Sequence, residues 1–163
     1  MSLLGAASVF TGLDYAKCNH PAKQMSISRL FVDSPLGPGL AVALSPAQSH
    51  YLAGVMRRAV GDGLLLFNGR DGEWRAEISE LVRGRQAAAV VVEQTRDQAA
   101  EPDLWLLFAP VKRTAVDHMA RGATELGVSA LMPVVTAHTN AKRLNIDRLR
   151  TIAMEAAEQC GRL

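Results

Sequence analysis

Apolar and polar positions follow two different rhythms in the two halves of this chain. Ser26–Val32 alternates weakly, as a half-buried strand does, and Leu40–Leu44 repeats the alternation after a Pro-Leu-Gly-Pro-Gly loop. From Ser45 the period lengthens to that of a helix running to Arg58. Leu52, Val55 and Met56 form its apolar stripe, and His50, Gly54, Arg57 and Arg58 share another face. Its start is marked chemically: Ser45 as N-cap, Pro46 behind it, and Gln48 completing a capping box. Gly61-Asp62-Gly63 closes that unit. Leu64–Asn68, a Gly-Arg-Asp-Gly turn, Glu73–Leu81 and Ala87–Val92 then read as strands. Short strands with glycine-bearing turns and one inserted helix predict a small β-barrel or sandwich ending near Glu93.

The rhythm changes after residues 94–103, a polar stretch with one proline that reads as a linker. Leu104–Val111 is a continuous apolar run, the pattern of a strand buried on both faces. Thr114 is placed to cap a helix to Leu126, with Val116, Met119 and Ala123 inward and Gly127 at its end. Ser129–Val135 is the next buried strand. Asn145 caps a last helix, with Leu149, Ile152, Ala153 and Ala156 as its stripe and Gly161 as its stop. Strand–helix–strand–helix with short connections predicts an α/β unit with a parallel sheet.

The expected organisation is therefore a disordered or non-native N-terminal extension (1–24), a β-rich unit (25–93), a linker (94–103) and an α/β unit (104–163). The extension has no clear period. It lacks the basic start of a signal peptide, and translation starting at Met25 is an alternative. The α/β unit has about 60 residues where a domain usually has about 100–150, so it reads as unfinished.

Composition narrows the function classes. The 163 residues are 48% hydrophobic, which suits a globular core, and no apolar run approaches the roughly 18 residues of a membrane span. A net charge of +2 means that a nucleic-acid surface has to be a local patch. Cys18 and Cys160 lie far apart, which suggests neither a disulfide framework nor a metal cluster and fits a reducing cytoplasm.

Spacing alone reveals no catalytic motif. Glu125 ends a helix, and Cys160 reads as a small buried residue on a helix stripe. His118 and His138 are isolated. The basic residues carry more information: Arg29, Arg57 and Arg58 belong to the first unit, and Lys112, Arg113, Lys142 and Arg143 flank the strands of the second. A cation just after a parallel strand sits where open α/β sheets bind ligands. One reading is a phosphate-binding surface split across the two units; the other is a set of solvated charges.

Two ordered sets of segments carry a resemblance. The first unit reads R-L-F-V-D, H-Y-L-A-G-V-M-R and G-D-G-L-L-L-F-N-G-R-D-G-E-W-R-A-E-I. The second reads L-L-F-A-P-V-K-R, A-T-E-L-G-V, P-V-V-T and E-A-A-E-Q-C-G-R. In this order they resemble the RsmE family, SPOUT-class enzymes that methylate N3 of a uridine in 16S ribosomal RNA with S-adenosylmethionine. The resemblance implies a PUA-like RNA-binding β-barrel, then the first part of a SPOUT α/β domain of the trefoil-knot class. It also implies a cofactor pocket C-terminal to this chain, a homodimer in the complete form, and no metal. A fragment of this kind would not methylate on its own.

On the phosphate-surface reading, RNA contacts are expected from Arg29, His50, Arg57, Arg58, Lys112, Arg113 and Arg143. Glu158, Gln159 and Arg162 become candidates for assisting the chemistry, with the catalytic base itself unassigned. Arg121-Gly122 stands where the family usually carries a lysine. A non-catalytic RNA-binding module, or a generic α/β nucleotide-binding protein, are the alternatives.

Overall fold

The computed structural model describes residues 27–82, 85–137, 139 and 143–163. The expected N-terminal extension, His138 and Lys142 lie outside the described residues.

In the first unit five strands form one mixed sheet: β1 (Ser28–Phe31), β2 (Ala41–Leu44), β3 (Gly63–Phe67), β4 (Glu73–Val82) and β5 (Gln86–Arg96), in the order β1-β3-β4-β5-β2. β1 runs parallel to β3, and the remaining pairings are antiparallel. Leu30, Val42, Leu64, Leu66, Ala76, Ile78, Ala89 and Val91 meet in one core. The sheet's two edges, β1 and β2, are not paired with each other. Helix α1 (Pro46–His50) leaves β2 and bridges them: the Gln48 side-chain amide donates to the Phe31 carbonyl at 2.7 Å. The capping box holds, with the Ser45 hydroxyl accepting from the Gln48 amide and the Gln48 side chain accepting from the Ser45 amide.

The helix departs from its expected course after one turn. Tyr51–Val55 is a π-helical turn, and Arg57 adopts a left-handed φ of 53°. A π-turn takes one more residue per turn than an α-turn, so later side chains fall out of phase. Leu52 stays buried, but Val55 turns outward at 63% exposure, so the expected Leu52–Val55–Met56 stripe does not form. β5 is longer than its apolar run. It continues to Arg96, so Gln94, Thr95 and Arg96 are strand rather than linker.

The second unit pairs β6 (Trp105–Phe108) with β7 (Ala130–Pro133) in parallel, followed respectively by α2 (Arg113–Glu125) and α3 (Ile146–Cys160). The helices bury Val116, Ala120, Ala123, Ile152 and Ala156. β6 is not buried on both faces as its sequence suggests: Trp105 is 56% and Leu107 63% exposed, and only Phe108 is buried. A two-stranded sheet has few neighbours to cover its second face. Asn145 caps α3 by accepting from the Arg148 amide, and Gly161 ends the helix at φ 76°. α2 starts one residue before the expected Thr114 cap, and its N-cap residue, Lys112, makes no side-chain capping bond.

Candidate nucleic-acid interface

Helices α2 and α3 begin beyond the carboxyl ends of the two parallel strands, and a cavity of about 240 Å³ opens between those helix starts. Arg113 comes from the first turn of α2, Arg143 from the segment leading into α3, and Arg148 from the first turn of α3; all three line it. Asp117 sits among them and takes a two-pronged ion pair from Arg148, at 2.7 Å to Nη2 and 3.2 Å to Nε. Those hydrogen bonds hold the Asp117 carboxyl below its usual range, helped by the charges of Arg148 and Arg113. Three guanidinium groups against one carboxylate leave the site cationic. Lys112, Arg113 and Arg143 are exposed, as a phosphate-facing set has to be. Arg148 was not among the sequence candidates. Its one sequence signal is its place in the first turn after the Asn145 cap.

Two other predicted phosphate contacts are directed inward. Arg29 has only 10% of its side chain exposed. Its Nε meets Glu73 Oε2 at 2.5 Å, Nη1 donates to the Ala157 carbonyl at 2.5 Å, and Nη2 donates to the Arg162 carbonyl at 2.6 Å. Its Cζ lies over the Phe67 ring, 3.6 Å from the ring centre. Each of its three nitrogens thus donates inside the protein, so the guanidinium is directed inward and not toward RNA. Arg58 is buried as well, with Nη2 3.5 Å from the Ser28 hydroxyl. Its sequence position, at the end of a supposedly exposed helix face, was moved inward by the π-turn. Arg57 and His50 remain exposed on the first unit, and the His50 ring lies over Gly54.

The residues of the last motif divide between two tasks. Glu158 and Gln159 line a cleft of about 1030 Å³ between the two units, together with Phe31, Gln48, Tyr51, Glu125 and Glu155. Glu158 Oε1 accepts the Phe31 amide at 2.9 Å. Burial pushes its carboxyl above the usual range, and Glu155 adds to the push, while the Phe31 amide and Arg29 pull the other way. Arg162 faces the protein, donating to the Thr124 and Val128 carbonyls at 3.1 and 2.8 Å and pairing with Glu101. Cys160 is exposed, not buried on a helix stripe. His118 is exposed beside Asp117. Among the described residues no group of three His, Cys, Asp or Glu could hold a metal ion. No helix among them is long and apolar enough to cross a membrane.

Two domain families and several known proteins match this chain. An RNA methyltransferase domain family matches residues 99–163, and an RNA methyltransferase PUA domain family matches residues 44–92. The chain is 32% identical over 140 residues to ribosomal RNA small subunit methyltransferase E of Rickettsia conorii, covering 85% of this chain and 57% of the relative. It is 36% identical over 124 residues to the protein of the same name from Synechocystis, covering 74% of this chain and 40% of the relative. This chain therefore spans roughly half the length of the curated relatives it matches. Its fold is that of a ribosomal RNA small subunit methyltransferase E from Neisseria gonorrhoeae, solved bound to S-adenosyl methionine, with a TM-score of 0.72 at 24% identity; the match covers 83% of this chain and 57% of that one. A probable rRNA-methyltransferase from Porphyromonas gingivalis matches at a TM-score of 0.70 and 23% identity, covering 82% of this chain and 56% of that one.

Proposed function

This chain belongs to the ribosomal RNA small subunit methyltransferase E family, and on that premise we propose that it forms the RNA-gripping part of an S-adenosylmethionine-dependent methyltransferase acting on N3 of a uridine in 16S ribosomal RNA. The five-stranded unit, its seam bridged by Gln48, serves as the PUA-like barrel, and β6–α3 opens the SPOUT domain. The whole enzyme works in the cytoplasm as a homodimer on the small ribosomal subunit.

S-adenosylmethionine, when bound, supplies an electrophilic methyl group. Its pocket belongs to the part of the relatives that this chain does not span. The task left to this chain is to hold RNA. The N3 proton of uracil is only weakly acidic, so positioning and cationic stabilisation carry much of the work. Glu158 and Gln159, facing the cleft, are the residues of this chain best placed to assist; Arg162 is not, being spent on backbone carbonyls.

One observation carries the RNA reading. Arg113 and Arg143, thirty residues apart in sequence, converge with Arg148 on one cavity beyond the carboxyl ends of the parallel strands. Lys112 adjoins them in sequence, and on the first unit Arg57 and His50 are exposed and available to RNA. The test is RNA binding across a salt series. Lys112→Ala, Arg113→Ala and Arg143→Ala together should flatten the log–log salt slope by about 2 to 3. A folded triple variant with an unchanged slope would overturn the reading.

A further inference from the structure

The last helix ends without a cation of its own. α3 has no basic residue in its last turn, although helix ends leave carbonyls unpaired and carry partial negative charge. The missing partner arrives from the other unit. Arg29, on β1, reaches 128 residues along the chain to the Ala157 carbonyl and 133 to the Arg162 carbonyl. Glu73 on β4, 7% exposed at its side chain, holds the guanidinium in place, and the Phe67 ring lies against its face. Arg96 of β5 donates to the Gly161 carbonyl at 2.8 Å, and the Phe31 amide of β1 donates to Glu158. Two strands of one unit, β1 and β5, thus grip the carboxyl end of one helix of the other, with Glu73 of β4 and Phe67 of β3 bracing Arg29 from behind.

We propose that Arg29 is a positioning residue: by capping α3 from across the boundary it fixes the orientation of the two units, so that their cationic surfaces meet one RNA as a single body. A planar guanidinium can do this because its fork satisfies Glu73 and two carbonyls at once while its face stacks on a ring. A lysine ammonium offers a point charge with no such plane. The residues drawn together are unrelated in sequence, and the polar stretch 97–103 alone would leave the units free to swing. Two phosphate-binding surfaces on one rigid body act at high effective concentration; on a loose pair they do not. The orientation claim stands on the contacts alone, and its consequence for RNA rests on the functional reading above.

The experiment measures distance by electron paramagnetic resonance on the 163-residue chain, with Cys18→Ser and Cys160→Ser removing the native thiols. Labels at Glu80→Cys and Asp147→Cys, both exposed, span the units. A second pair, Glu80→Cys and Glu93→Cys, stays within the sheet. The native residue should give one narrow inter-unit distribution. Arg29→Ala and Arg29→Lys should both broaden it while leaving the sheet pair unchanged. A purely structural role in the sheet would lower the melting temperature without moving the inter-unit distances. Should Arg29→Ala broaden the sheet pair as well, Glu73→Gln reads the same distance with the guanidinium still present, and broadening between the units is again the expected result. An inter-unit distribution unchanged in Arg29→Lys and Glu73→Gln would overturn the proposal. RNA affinity, measured separately, should fall at least tenfold in Arg29→Lys. Failure of the native chain to bind RNA would overturn the functional reading and leave the distances to judge the clamp.

Discussion

The backbone amide of Phe31 donates to the side chain of Glu158 across 127 residues of chain, at 2.9 Å. This places a half-buried carboxyl in the wall of the cleft between the units, where burial raises its pKa. A carboxyl whose folded pKa lies above its unfolded value contributes stability below the unfolded pKa and loses it as pH rises through the folded one. Ionised Glu158 is therefore a net cost at neutral pH. Glu158→Gln keeps an oxygen for the Phe31 amide and removes the charge. Melting temperature should rise by about 1–2 °C at pH 7.5 and stay level at pH 4. Equal shifts at both pH values would mean that the charge is not the cause.

Asp71 has the opposite sign. The Leu36 amide at 3.0 Å and the Asn68 side chain at 2.7 Å both donate to it and hold its carboxyl below the usual range. Its stabilisation is present above the unfolded pKa and is lost as pH falls through the folded one. Asp71→Asn should destabilise at pH 7 and lose that effect near pH 2, as read by urea midpoints at the two pH values.

Two glycines should respond in opposite directions. Gly72 sits at φ 80°, and a Cβ there would lie 2.3 Å from the Arg96 carbonyl oxygen, which is backbone and cannot step aside. Gly72→Ala should cost about 3 kcal/mol or more. Gly122 lies inside α2 with nothing within 4 Å of a Cβ. Gly122→Ala should add up to about 1 kcal/mol, the difference in helix propensity. Chemical denaturation of both variants checks the pair, and a stabilising Gly72→Ala would mean that β5 does not run past that turn as described.

Arg57 offers a separate test of the helix end. It is non-glycine at φ 53°, a conformation that costs an L-residue about 1–2 kcal/mol. Arg57→Gly should therefore be more stable than Arg57→Ala by about 1 kcal/mol, with both losing the same charge toward RNA. Equal stabilities would show that α1 relaxes to an ordinary end.

Signals that live within a few residues were legible in the sequence. Ser45 with Gln48, Asn145 as a cap, and Gly127 and Gly161 after their helices all stand where reading predicts, because capping is settled by neighbours. The parallel pairing of β6 with β7 was also legible, since strand–helix–strand with short links leaves little else. Long-range geometry was not. Arg29 and Arg113 look alike in the sequence, and only the fold decides that one caps a distant helix while the other faces the cavity. Arg58 was misread because one π-turn shifts a helical phase that periodicity assumes to be constant. Trp105 and Leu107 show the same limit: an apolar run says that a strand can be buried on both faces, not that neighbours are there to bury it.

Protection from exchange should follow the distribution of the core. The contiguous buried cluster lies wholly in the first unit, from Leu30 to Val91, with Leu52, Leu64, Leu66, Ala76 and Ala89 fully enclosed. The second unit buries a smaller set, and its two-stranded sheet leaves Trp105, Leu107 and Met132 exposed. Burial contributes roughly 25 cal/mol per Å² of apolar surface, so the enclosed sheet should open only with global unfolding. β6 and β7 have one neighbour each, and their amides should exchange through local opening at lower free energy. α3 is intermediate: Ile152 and Ala156 are buried, and Arg29 and Arg96 hold its end. Mass-resolved exchange should rank peptides from β3, β4 and β5 as slowest, α3 next, and β6 and β7 as fastest. Because the clamp acts on α3, Arg29→Lys should speed exchange in residues 152–162 first and leave β3 to β5 near their native rates. Equal protection in β6 and β4 would mean that the second unit has stabilising contacts beyond those of these two strands and two helices.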